Sequence, residues 1–167
     1  MMRREIPPIV NKMNTINIVN ISKDDIAPVA ELESICFGEH GYPPFFIRQA
    51  YDCWAASFYV AKIDNRVVGY LLQSPKTNTK DAWILSLAVS PTSRGLGIGK
   101  ALLKHCIAHS TMYHTLFLTV CPKNTAAVNL YAQLNFTLHD EESNYFDIND
   151  SRQVLQLALP TPAPQSK

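Results

Sequence analysis

The chain has 167 residues, with 15 Lys and Arg against 14 Asp and Glu, a formal net charge of +1. At roughly 100–200 residues per domain this is a single domain with room for a real core, and 47% hydrophobic with 17% charged residues exclude a disordered, collagenous or coiled-coil chain. The near-neutral balance argues against a general polyanion binder, so nucleic acid is not an expected partner.

In chain order, residues 1–13 read as a flexible tail, and a domain is expected over 14–159. Ile16 to Ile21 alternate as a first strand. Ser22 followed by Asp25 resembles a capping box and opens a helix near Asp24 or Asp25, which keeps Pro28 in its first turn. Val29, Leu32 and Cys36 share one face of that helix. Gly38, Gly41 and Pro43-Pro44 form a loop before a short aromatic helix with Phe46, Ala50 and Trp54 inward. Two β-rich runs, Phe58 to Ile63 and Val67 to Gln73, flank Asp64-Asn65-Arg66 as a hairpin. Ser74 to Lys80 is a polar loop. Trp83 to Val89 is apolar nearly throughout and reads as a central strand covered on both faces.

After Gly99, the positions Leu102, Leu103, Cys106 and Ile107 give a helical period. Leu116 to Val120 is a strand, and Asn124 caps a helix lined by Ala127, Leu130, Tyr131 and Leu134. Phe136 to Leu138 and Gln153 to Leu159 close the pattern as strands, and 160–167, with Pro160, Pro162 and Pro164, reads as a disordered tail. The order β-α-α-β-β-β-α-β-α-β-β describes one mixed α/β sheet. Cys36, Cys53, Cys106 and Cys121 form no CxxC, so a metal site is not expected and the thiols read as reduced. The start lacks the apolar run of a signal peptide, and no window approaches the ~20 apolar residues of a membrane span. A cytoplasmic setting follows as the expectation, with Met13 open as an alternative start and a homodimer open as an assembly.

Net charge hides a pattern. No acid lies between Asp81 and Asp140, while Arg94, Lys100, Lys104 and Lys123 give that stretch +4. Asp140, Glu141, Glu142, Asp147 and Asp150 follow with no base among them, a local −5. Such one-sidedness arises by chance, or it is the footprint of a small multiply charged anion.

The chemistry-bearing segment is Leu87-Ala-Val-Ser-Pro-Thr-Ser-Arg94-Gly95-Leu96-Gly97-Ile98-Gly99-Lys100. A strand stops at a proline, a glycine-rich turn follows, and a helix begins. Glycine lets backbone approach a ligand, and the unpaired first-turn N–H groups with a dipole of ~+0.5 charge suit phosphate oxygens. A tight β–α turn with glycine needed only for geometry is the plainer alternative. A Walker loop is excluded, because Ala101 follows Gly99-Lys100 and Arg94 stands where the first Gly belongs. The dinucleotide fingerprint fails on spacing and lacks its acid ~20 residues on.

Arg94-x-x-Gly97-x-Gly99 resembles the acetyl-CoA signature of the GNAT superfamily of N-acetyltransferases, and Asn124-Thr-Ala-Ala127-Val-Asn-Leu-Tyr131-Ala-Gln-Leu-Asn-Phe136 resembles that family's second block. The resemblance spans Ile16 to Leu159. It implies a single-domain α/β GNAT fold with a central, mixed, mostly antiparallel sheet flanked by helices. It also implies acetyl-CoA as cosubstrate, with Leu87, Ala88 and Val89 pairing to the pantetheine amides and Gly95, Leu96, Gly97, Ile98, Gly99 and Lys100 cradling the pyrophosphate beside Arg94. Asn124 would bond the pantetheine arm, Val89 N–H would face the thioester oxygen, and Tyr131 would act as acid at the sulfur. A Tyr at ~10 is a weaker acid than a thiol at ~8.5, and Tyr131 also fits a core aromatic by spacing alone.

Several stretches resemble the ribosomal-protein alanine acetyltransferases. Thr119 stands where those carry a glutamate, and threonine cannot take an ammonium proton; water, Glu39, His40, Tyr145 and Asp147 remain candidates for the base. Asn135 replaces a family Gly, which Asn tolerates in left-handed geometry. The acceptor site is expected between Phe37 to Phe46 and Glu142 to Arg152, with Tyr42, Phe45, Phe46, Tyr145 and Phe146 as walls for a cationic amine, either a small molecule or a peptide or protein amine. The expected activity is N-acetyl transfer by direct attack in a ternary complex. A non-catalytic acyl-CoA-binding module is the alternative, and Thr119 is the feature favouring it.

Overall fold

The structure is a computed structural model describing residues 15–160. The expected tails at 1–13 and 160–167 lie outside them, save for Pro160. The elements follow the anticipated order: β1 (Asn17–Asn20), α1 (Ile26–Phe37), α2 (Pro44–Trp54), β2 (Phe58–Ile63), β3 (Arg66–Pro75), β4 (Asp81–Val89), α3 (Ile98–His109), β5 (Thr115–Val120), α4 (Thr125–Gln133), β6 (Thr137–Glu142) and β7 (Arg152–Ala158). One seven-stranded sheet has the order β1-β2-β3-β4-β5-β7-β6. Only the β4–β5 neighbours are parallel.

Local chemistry explains the boundaries. Ser22 donates both its backbone N–H (3.0 Å) and its hydroxyl (2.7 Å) to Asp25 Oδ2, and the chain takes one 3₁₀ turn, Lys23–Asp25, before α1 begins. Pro28 therefore sits in the first turn of α1, where no N–H is missed. Asp64 and Asn65 both adopt positive φ, 48° and 61°, as a tight hairpin requires. Asn124 Oδ1 accepts from Ala127 N at 3.1 Å and starts α4.

Two apolar layers cover the sheet. On one face Ile98, Leu102, Leu103 and Cys106 of α3 and Tyr131 of α4 pack on Tyr59, Leu71, Ile84 and Leu118. On the other Val29 and Leu32 of α1 and Ile47 and Ala50 of α2 pack on Phe58, Val60, Tyr70 and Leu72. Ile47 is wholly buried, whereas Phe46 and Trp54, expected inward, are only half-buried. Several strands outrun their expected limits: β3 reaches Pro75, β4 starts at Asp81, and β6 continues through Asp140, Glu141 and Glu142 as a fully exposed edge. Charge on an edge strand discourages pairing with another chain, which is why an acidic segment tolerates strand geometry.

The expectation that β4 is covered on both faces needs correction. Ala82, Ile84 and Ala88 are buried, but Trp83, Leu85, Ser86, Leu87 and Val89 are half-open. The cause is the neighbour: β5 registers with β4 only at Asp81↔Thr115, Ala82↔Leu116 and Trp83↔Phe117. Beyond Trp83 the two strands part.

Candidate active site

The parting leaves β4 with one free edge, and hydrogen-bond direction shows what it presents. Ser90 N–H donates to Val68 O at 2.8 Å, while Val89 lies opposite Gly69 and Leu87 opposite Leu71. In an antiparallel ladder paired and unpaired positions alternate, so the N–H and C=O groups of Leu87 and Val89 point away from β3, into the gap that β5 vacates. Leu72↔Ser86 and Gln73↔Ile84 leave Leu85 as a bulge with no partner on β3. Two carbonyls of this edge are taken from the side of α1: Leu85 O by Tyr42 Oη at 3.3 Å, and Val89 O by Cys36 Sγ at 3.5 Å. The Leu87 peptide groups and Val89 N–H lie between.

At the end of this edge the chain makes the glycine turn. Gly95 and Gly97 have φ of 79° and 77°, the left-handed region, and a Cβ on either would meet nothing within 4 Å. The turn is thus a cradle open to the outside rather than a packing device. Among the described residues no hydrogen bond is donated by the backbone N–H groups from Gly95 to Lys100. They form the bare N-terminus of α3, a donor set matched to phosphate oxygens. Ile98 is buried and anchors the turn, while Leu96 is exposed. Lys100 Nζ bonds Gln133 Oε1 at 3.1 Å, so its side chain ties α3 to α4. Arg94 lies beside the Cys36 thiol and opposes the upward push that burial gives that group.

Helix α4 packs beside the turn, where Leu130 Cδ2 would stand 3.3 Å from a Cβ at Gly99. Asn124 uses its carbonyl as a cap and keeps its amide NH₂ for other partners. Tyr131 is 8% exposed and packs edge-on against Phe136, with centroids 5.8 Å apart. Its hydroxyl has no hydrogen-bond partner among the described residues, and burial pushes its pKa up to about 12. Thr119 is half-buried in β5 opposite Val154. Asn135 adopts φ of 65°, the left-handed geometry its position demands.

The opposite side of the sheet carries the two anticipated loops. Tyr42 stacks on Phe46 at 4.3 Å, and Tyr145 meets Phe146 edge-on at 4.7 Å. Burial, then the Glu33 charge and then Tyr145 raise the pKa of Tyr42. Phe45 and Phe146 are 68% and 64% exposed. Glu39 and His40 are exposed in a 3₁₀ turn. Within the −5 segment Asp150 pairs with Arg152 at 2.8 Å, while Asp147 accepts Ile148 N–H and Glu141 accepts from Gln153, neutral donors that leave those charges in place.

One residue of this region escapes sequence reading. Glu33, on α1, is 2% exposed. It accepts the Tyr42 backbone N–H at 2.8 Å and a short hydrogen bond from the Tyr70 hydroxyl, which lies 2.7 Å from Ser86 Oγ. The only available signal was a charge on the buried face of α1, one position after Leu32.

A family model described as the Acetyltransferase (GNAT) family matches residues 26–136, from the first turn of α1 through Phe136. The chain belongs to the GNAT acetyltransferase family. It is 31% identical over 132 residues to an N-alpha-acetyltransferase of Sulfurisphaera tokodaii, covering 71% of this chain and 78% of that one. It is 35% identical over 83 residues to the [ribosomal protein bS18]-alanine N-acetyltransferase of Escherichia coli, covering 48% and 56% respectively. The chain spans about half the length of several curated relatives it matches. Among solved structures, Ard1 from Thermoplasma volcanium superposes with a TM-score of 0.79 at 23% identity, over 87% of this chain and 98% of that one, which shows the same fold.

GNAT membership accounts for the mixed sheet and for both sequence blocks, which fall on the turn into α3 and on α4. Among the described residues no helix is long and apolar enough to cross a membrane. Among them, too, no group of three or more His, Cys, Asp or Glu is placed to hold a metal.

Proposed function

We propose that this GNAT protein transfers acetyl from acetyl-CoA to a primary amine by direct attack in a ternary complex, and that the amine is the α-amino group of a peptide or protein. The observation that carries the reading is the free edge of β4, from Leu85 to Val89, ending in an open glycine turn whose N–H groups have no partner among the described residues. An extended arm bearing amides complements such an edge, and a pyrophosphate complements the turn.

Each step draws on a named group. Val89 N–H, aimed into the gap, stabilises the negative charge that develops on the carbonyl oxygen when the amine nitrogen attacks. The C–S bond then breaks and the thiolate leaves. With its pKa up to about 12, Tyr131 stays protonated at neutral pH and supports the departing sulfur with a hydrogen bond. Complete proton transfer from such a phenol to a thiolate near ~8.5 is uphill, so water carries the proton between the reacting amine and the thiolate. Thr119 takes no proton in this scheme.

A relative covering most of this chain is an N-alpha-acetyltransferase, which supports a peptide amine over a small polycation. The exposed rings of Phe45 and Phe146 are suited to apolar side chains near a peptide terminus.

The test is release of free CoA thiol from acetyl-CoA over a panel of peptides with free and blocked N-termini and of small amines. Turnover confined to free N-termini is expected. Turnover with small amines alone would overturn the acceptor class. CoA binding without turnover on any acceptor would mark an acyl-CoA-binding module instead.

A further inference from the structure

Glu33 is a carboxylate in the packed layer between α1 and the sheet, and neither the acyl-CoA cradle nor the chemistry above uses it. Burying such a group costs stability unless its lone pairs are met. Here they are met by groups that matter to the site. One oxygen holds the Tyr42 backbone N–H, and the other holds the Tyr70 hydroxyl. Tyr70 in turn reaches Ser86 on β4, next to the bulged Leu85. The Tyr42 ring runs from the held backbone to the same bulge, where its hydroxyl meets Leu85 O. The loop between α1 and α2 presses so closely on Glu33 that a Cβ at Gly41 would stand 3.2 Å from its Cγ. Two separate paths, one through Tyr42 and one through Tyr70, thus join this carboxylate to the strand segment where β4 leaves β5.

Resting on the acetyltransferase reading, we propose that Glu33 is a positioning residue for acyl transfer: it locks the α1–α2 loop to the free edge of β4 and so sets the approach of the acceptor amine to the thioester. Its role is that of a two-point acceptor, and no proton passes to it. Burial raises the Glu33 pKa, while the bonds from Tyr70 and from Tyr42 N–H hold it down.

The roles separate in the steady state. Glu33→Gln keeps an oxygen for Tyr42 N–H and turns an NH₂ toward Tyr70, which then donates to Ser86; Glu33→Ala removes both anchors. For Glu33→Ala, acceptor KM is expected to rise about tenfold or more, as small misplacements of a reacting group do. Its acetyl-CoA affinity by calorimetry should stay within about twofold of wild type, and Glu33→Gln should recover most of the loss. Where Glu33→Ala fails to fold, Tyr70→Phe, which keeps the ring and severs the second path, is expected to raise acceptor KM severalfold with acetyl-CoA affinity intact. Unchanged acceptor KM in the folded variants would overturn the role, as would a collapse of kcat in Glu33→Gln at unchanged KM, which would make the group a base. No turnover by wild type would overturn the acetyltransferase reading itself and this role with it.

Discussion

Trp83 and Phe117 stack at a centroid distance of 5.4 Å across the last registered pair of the two parallel strands, and beyond them β4 and β5 diverge. The pair is the apex of the gap. The free peptide groups of Leu87 and Val89, and the glycine turn that follows them, lie on one side of it.

Gly97→Val should abolish tight CoA binding. Valine at φ of 77° costs about 1–2 kcal/mol in backbone strain, which lowers stability modestly because no protein atom is struck. The new methyls stand in the open cradle, so CoA affinity by calorimetry should fall at least about tenfold. Unchanged affinity would remove the turn from the site.

Tyr131→Phe separates catalysis from packing. The hydroxyl has no partner among the described residues, so thermal stability should stay within about 0.5 kcal/mol of wild type. A drop in kcat of about 10- to 100-fold at unaltered CoA affinity is expected. Wild-type turnover would return Tyr131 to a purely apolar role beside Phe136.

Asp25 links acid stability to the start of α1. Burial pushes its carboxyl up, but the Lys62 ammonium at 2.7 Å and the Ser22 bonds outweigh that and hold it below the usual 3.8. A folded value below the unfolded one contributes stability above the unfolded pKa, and that contribution is lost as pH falls through the folded value. Asp25→Asn should cost about 1–3 kcal/mol at neutral pH and flatten the loss of stability below pH 4 in urea titrations at several pH values.

Asn135 offers a backbone test. At φ of 65°, Asn135→Gly should be neutral or slightly stabilising, while Asn135→Ala should cost about 1 kcal/mol. Equal midpoints for the two variants in denaturant would show that the strain is relieved elsewhere.

Element order, the capping box at Ser22, the cap at Asn124 and the glycine turn were legible because each depends on residues close in sequence. The candidates Tyr131 and Val89 come from two motif blocks whose separation matches a known pattern, and their roles rest on that resemblance and on the proposed chemistry. The parting of β4 from β5 was not legible from periodicity: Trp83 to Val89 reads as a fully covered strand, since apolar residues face a cleft and a core alike. Glu33 was hidden for a different reason. Its partners Tyr42, Tyr70 and Ser86 come from a loop and two other strands, and no local pattern distinguishes a carboxylate that will be enclosed from one that faces water. The edge strand through Asp140 to Glu142 was missed because acids disfavour strands only where they must be buried.

The divergence of β4 and β5 also bears on mechanics. The sheet consists of two blades, β1-β2-β3-β4 and β5-β7-β6, riveted by three residue pairs at one end. A molecule lying along the gap would add a tie where the strands themselves make none. On the proposed reading, the cosubstrate would then be a structural member of the loaded protein as well as its reactant, and its binding would raise the stability of the fold.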